Sequence, residues 1–249
     1  MVKKVFQKTI DDLNELLEEA NMIEDYKKGK KYITDDTIAS VPLVKFPGIP
    51  SNECIAIHEM AQELLLLSKN ENNNNEVAIT YSLEHEKLKR NNQKYKTIVF
   101  GDEFSTDVES DTETYHLLNS TPNVVIINLH NHPSGSDFSL EDIMFFLRKD
   151  SVKLMIILPN DGGMFYLLKN NNYSRALNVQ LLASVISSVS PNALVNQKLH
   201  FSELNEKQMI EIAEKFIANS HSNGIDYSYV APMKNIDKSH EDDEDGIER

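Results

Sequence analysis

Apolar residues recur along this chain at helical spacing in some stretches and as short strand-like runs in others, and the order of the two predicts its elements. After Thr9 and Asp12, which read as a cap, Ile10, Leu13, Leu16, Leu17 and Ala20 repeat at helical spacing. Residues 26–35 are polar and charged, and Pro42, Pro47 and Pro50 favour extended chain over 36–50. A boundary is placed near Ser51. Ile57, Met60, Ala61, Leu64, Leu65 and Leu67 then give one apolar face to a helix over 52–69, capped by Ser51 or Asn52. A polar connection, Asn72 to Asn75, leads into a strand over 76–83. A charged loop over 84–95, a strand over 96–100 and a weak helix over 111–119 follow.

Residues 123–129 form the clearest buried strand. Ser139 opens a helix reaching about Lys149, and 153–158 read as a strand. Asp161-Gly162-Gly163 turns the chain back into a hairpin partner over 164–168. Helices are predicted over 174–189 and 203–220. The second of these could dock on the core or mediate dimerisation.

Mixed helices and strands with an internal hairpin predict an α/β (α+β) sheet domain rather than a bundle or sandwich. The chain divides into an N-terminal helix and extended segment (1–50), the sheet domain (51–190), a C-terminal helical extension (191–221) and an acidic, disordered tail (222–249). Six acids lie between Glu241 and Glu248 in that tail. Composition changes the picture in three ways. An apolar fraction of 40% over 249 residues is enough to bury a core. A net charge of −14 argues against a protein that grips a phosphate backbone along its length. The single cysteine, Cys54, excludes a disulfide framework and zinc sites built on several thiolates. No apolar run approaches the ~18 residues a spanning helix needs, and no signal-peptide pattern opens the chain. A soluble, cytoplasmic protein is expected.

Chemistry concentrates in one stretch, 129–142. His130 and His132 leave the end of an apolar strand, and residues i and i+2 of an extended chain point to the same side. Pro133 and Gly135 turn the chain away, and Asp142 lies in the first turn of the next helix. Two imidazoles and one carboxylate make three protein ligands, leaving the fourth position of a tetrahedral ion for water, as in catalytic zinc sites. Each part also has a plainer reading. Ser139 and Asp142 match a capping box, and Pro133 and Gly135 are common turn residues. Capping and ligation are compatible at this helix start.

His130-x-His132-Pro133 followed by Ser139-x-x-Asp142 resembles the signature of the JAMM (MPN+/JAB) metalloprotease family, and His130-Asn131-His132-Pro133-Ser134-Gly135 is similar to its RadC-like branch. Six residues separate His132 from Ser139, one fewer than is usual there. The resemblance covers about 52–170. It implies a curved, cytidine-deaminase-like mixed sheet with flanking helices, Zn2+ held by His130, His132 and Asp142, Glu76 as general base, and Ser139 as a hydrogen-bond donor to the oxyanion. The implied reaction is hydrolysis of a peptide bond or of an isopeptide to a ubiquitin-like protein. A non-catalytic metal-binding scaffold and a RadC-like DNA-associated role are the alternatives. The DNA role draws on a basic patch at Lys87, Lys89, Arg90, Lys94 and Lys96, against the acidic balance and the lack of a helix–hairpin–helix segment.

Other residues compete for these roles. Glu53, in the first turn of a helix, rivals Glu76 as base. His58-Glu59-Met60-Ala61-Gln62 nearly matches the zincin helix motif but has Gln62 where a second histidine is needed. Glu84-His85-Glu86 lacks a third ligand. His116 is read as a surface or packing residue, the acids from Asp102 to Asp111 as a solvated loop, and Cys54 as a small core residue.

Overall fold

The computed structural model describes residues 30–119, 125–195 and 198–234. The helix expected over 9–20, the first residues of the strand expected from 123, and the acids of 241–248 lie outside these. The described chain forms helix α1 (Asp35–Ala39), helix α2 (Ser51–Glu71), strand β1 (Val77–Ser82), helix α3 (His85–Arg90), strand β2 (Lys96–Phe100) and helix α4 (Thr112–Asn119). Strand β3 (Ile126–His132), helix α5 (Leu140–Arg148), strand β4 (Val152–Pro159), strand β5 (Met164–Lys169) and helix α6 (Arg175–Val189) follow. A two-stranded hairpin, β6 (Leu194–Val195) and β7 (Lys198–Leu199), precedes helix α7 (Glu206–Ser220) and strand β8 (Ile225–Val230).

Six strands make one mixed sheet in the order β2-β1-β3-β4-β5-β8. Only β3 and β4 are parallel, and α5 is the crossover between them. Every residue of β3 is buried, as a central strand covered on both faces requires. Side chains alternate between the two faces. Val77, Ile79, Ile127, Leu129, Leu154 and Ile156 face the layer built by α2, whereas Ala78, Ile126, Met155 and Ile157 face the layer built by α4, α5, α6 and α7. No helix among the described residues is long and apolar enough to cross a membrane.

Four expectations change. The chain before Ser51 is not simply extended: Thr34 and Thr37 form a capping box that starts α1, and the prolines act only beyond it. Ile33, Val41, Phe46 and Ile49 from this stretch join the core beneath α2. Helix α2 begins after Pro50 with no side-chain cap, so neither Ser51 nor Asn52 caps it. The loop expected over 84–95 contains α3, where Leu88 is buried and Lys87–Glu84 and Lys89–Glu86 pair at helical spacing.

The largest correction is at the C terminus. The tail expected from 222 includes β8, which pairs antiparallel with β5 along its whole length. Ile225, Tyr227 and Tyr229 alternate with polar residues, a strand pattern that the acidic composition beyond it obscured. The turn into β8 depends on Gly224. Its φ is 87°, and a Cβ there would lie 2.2 Å from the Tyr173 nitrogen. Helix α7 docks on the core through Ile212, Ala213 and Phe216.

Candidate metal centre

The site forms at one end of the central strands, on the face covered by α5. His130 and His132, two apart on β3, point to the same side and are both 7% exposed. Ser139 is the N-cap of α5. Its hydroxyl accepts from the Asp142 amide at 3.1 Å, and its own amide donates to Asp142 Oδ2 at 2.8 Å. This reciprocal cap fixes the Asp142 carboxylate against the histidines. Asp142 Oδ1 lies 3.1 Å from His130 Nε2, Oδ2 lies 3.6 Å from His132 Nε2, and the two Nε2 atoms are 3.1 Å apart.

These spacings suit an ion. Four bonds of about 2.0–2.2 Å arranged tetrahedrally separate their donor atoms by about 3.3–3.6 Å. The hydrogen bonds agree with that use. Asp142 Oδ2 is occupied by the amide and hydroxyl of Ser139, so Oδ1, which meets His130 Nε2 at 3.1 Å, is the atom open to an ion. The Ser136 carbonyl lies 3.2 Å and its hydroxyl 3.0 Å from His132 Nδ1; a proton on Nδ1 given to the carbonyl would leave the lone pair on Nε2. Among the described residues, His130, His132 and Asp142 are the one group of this kind whose ligand atoms converge.

Glu76 completes the site from the neighbouring strand. β1 and β3 pair with Ala78 opposite His130, so continuing that register by two residues sets Glu76 across from His132. Glu76 Oε1 is 4.0 Å from His132 Nε2, and Oε2 accepts a hydrogen bond of 3.1 Å from Thr106. Thr106 reaches Glu76 because the loop after β2 folds back over Gly101, where a Cβ would sit 2.2 Å from the Ser105 carbonyl oxygen.

The electrostatics follow from burying four ionisable groups together. Burial drives the Glu76 pKa up to about 7. The charge on His130 opposes that rise and the carboxylate of Asp142 adds to it. Burial also drives His132 down to about 4, partly offset by Asp142, so it is neutral near pH 7 and needs no deprotonation to bind a metal. Burial disfavours charge on His130 and on Asp142 alike, yet their mutual attraction wins: His130 is raised and Asp142 lies well below the usual carboxylate range.

All five residues singled out in the sequence, Glu76, His130, His132, Ser139 and Asp142, meet here. The Ser139 hydroxyl donates to Asp142 Oδ2 at 2.7 Å. The rivals lie elsewhere. Glu53 is bound to Tyr81, His116 is exposed, Cys54 is buried, and His58 belongs to α2. Of the basic patch, Lys87, Lys89, Lys94 and Lys96 pair with Glu84, Glu86, Glu113 and Glu63, which leaves little free charge for a phosphate backbone. Sequence reasoning missed Thr106, Ser136 and Asn131. Thr106 carries no signal in the sequence. Asn131 carries one, since a polar side chain in the opposite phase of a strand buried on both faces must find hydrogen bonds. No protein-family model, no curated protein and no solved structure matches the chain.

Proposed function

We propose that the protein is a zinc-dependent peptidase or isopeptidase of the JAMM type, acting on a protein or peptide substrate that includes the ubiquitin-like class. One observation carries this reading: a buried carboxylate, Glu76, lies 4.0 Å from His132 Nε2 beside a His-His-Asp group. A purely structural site has no need of a fourth, non-ligating acid with a pKa raised to about 7.

His130, His132 and Asp142 would hold the ion. Bound there, zinc supplies Lewis acidity, which activates a water and polarises a substrate carbonyl. Glu76 takes the proton from the attacking water and returns it to the leaving amine, a role its place beside the histidines allows. Thr106 orients the Glu76 carboxylate by holding Oε2, which leaves Oε1 toward the histidines. The Ser136 carbonyl would keep His132 in the tautomer whose Nε2 is free, and Ser139 holds Asp142 through the helix cap.

The test is metal content together with hydrolysis of a mixed peptide pool and of a ubiquitin-fusion isopeptide. The expected result is about one zinc per chain, as a three-ligand site holds. Zinc should be lost in His130→Ala and His132→Ala, and cleavage should stop on chelation and return with zinc. Cleavage that survives chelation, or a wild-type chain that retains no metal, sinks the reading.

A further inference from the structure

Asn131 sits between the two histidines but points to the other face of β3, where it is fully buried. Its Oδ1 accepts a 2.7 Å hydrogen bond from the Val77 amide, and its Nδ2 donates to Asn160 Oδ1 at 2.7 Å. The position of the first bond matters. The main-chain ladder between β1 and β3 runs from Ser82–Ile126 to Ala78–His130 and stops there. Glu76 turns both its main-chain groups to the β2 side, to Gly101 and Asp102, as the alternation of an antiparallel strand requires. Its two neighbours are held to β3 by the Asn131 side chain, which accepts from the Val77 amide and donates to the Asn75 carbonyl at 3.2 Å.

The turn before β1 is built around the same contact. Asn72 Nδ2 donates to the Glu76 carbonyl at 2.7 Å, Asn160 Nδ2 donates to the Asn74 carbonyl at 3.0 Å, and Asn74 adopts a left-handed φ of 60°. The polar run of 72–75 is a shaped corner, and Asn131 ties it to the histidine strand. The bonds that Asn131 itself makes are all between neutral groups, so it adds no charge beside the histidines.

We propose that Asn131 is a positioning residue that sets Glu76 against His130 and His132 by holding, from its side chain, the main chain on both sides of Glu76, at Asn75 and Val77. The proposal rests on the reading of Glu76 as the base. Its ligand-bearing neighbours lie on the opposite face of β3, so replacing Asn131 separates base placement from metal binding.

The experiment uses the full zinc-loaded chain and compares wild type with Asn131→Leu and Asn131→Gln, the latter keeping both an acceptor for the Val77 amide and a donor for Asn160 Oδ1. Three quantities are read: zinc per chain, hydrogen exchange at the Val77 amide, and kcat and KM on the peptide pool. In Asn131→Leu we expect unchanged zinc, loss of Val77 protection, and a kcat about 10–100-fold lower at a KM within about twofold, the scale for outer-shell partners of a metal site. Asn131→Gln should recover part of both the protection and kcat, the two together. Zinc loss in parallel with kcat, unchanged Val77 protection, or protection recovered in Asn131→Gln without kcat overturns the proposal. If the wild type binds zinc but cleaves nothing, the peptidase reading fails on its own. Val77 protection and the Glu76–His132 separation in crystals of the variants then still decide whether Asn131 places that carboxylate.

Discussion

Two buried glutamates flank β1, and their surroundings differ more than their depth. Glu53 is 8% exposed and Glu76 is 6% exposed. Glu53 lies in the first turn of α2, where the helix dipole favours negative charge. It accepts hydrogen bonds from the Tyr81 hydroxyl at 3.0 Å and from Asn52 Nδ2 at 2.9 Å. The Tyr81 hydroxyl in turn meets His85 Nδ1 at 2.7 Å, which carries the chain of bonds toward the surface. Glu76 has the Thr106 hydroxyl as its side-chain donor and faces a carboxylate as well as two imidazoles. Burial alone therefore does not make a base. Glu53 is held by two side-chain donors, whereas Glu76 has Thr106 and a raised pKa, which suits proton exchange.

The sharpest way to break this comparison is to neutralise each acid in turn. Glu76→Gln should lower kcat by about 10²–10⁴-fold, the usual contribution of a positioned acid–base group, with zinc retained because Gln leaves the ligands in place. Glu53→Gln should leave kcat within about threefold and lower stability by about 1–3 kcal/mol, since hydrogen bonds to a charged group are lost. Steady-state kinetics and denaturant melts of the two variants measure both. Equal losses of kcat would return Glu53 to candidacy as the base.

Glu76 predicts an effect of pH on the stability of the metal-free protein. The Glu76 pKa is raised on folding from 4.5 to about 7, so the folded state holds its proton more tightly than the unfolded chain. Its contribution is fully present below the unfolded value and is lost as pH rises through about 7. Metal-free Glu76→Gln cannot lose that contribution. It should match the wild type near pH 5 and exceed it by about 2–3 kcal/mol at pH 8, at 1.36 kcal/mol for each unit of pKa. Urea titrations of the metal-free chains at the two pH values decide it, and a Glu76→Gln advantage that does not grow with pH would remove burial as the source of its raised pKa.

The sequence makes some of this structure legible because local patterns suffice. Strand β2 occupies the residues its β-branched run predicts, and α5 starts at Ser139 because its cap is local. His130 and His132 are readable for the same reason: the period of a strand puts both on one side. Helix α3 was hidden because one apolar residue, Leu88, gives no periodicity, and β8 because its alternation abuts an acidic tail. Glu76 could be singled out by resemblance and not by pattern, since what makes it distinctive is the register of β1 on β3, a long-range property. Thr106 depends on the path of a loop over Gly101, and the run of 72–75 on left-handed turns at Asn73 and Asn74. Neither leaves a periodic trace.

The smallest expected effect isolates the one side-chain donor Glu76 has. The Thr106 hydrogen bond favours the ionised carboxylate and so lowers the Glu76 pKa against the effect of burial. Thr106→Val keeps the shape and removes that donor. A neutral-donor bond of about 0.5–1.5 kcal/mol corresponds to about 0.4–1 unit of pKa, so the acid limb of the kcat profile should move up by that amount. Activity near pH 6 should fall several-fold, because less of the base is ionised, and activity on the alkaline plateau should hold, because ionisation there is complete either way. A uniform loss across the profile would mean that Thr106 holds the loop and not the charge. Adding a donor tests the converse: if donors separate Glu53 from Glu76, each one gained at Glu76 should carry the acid limb further down.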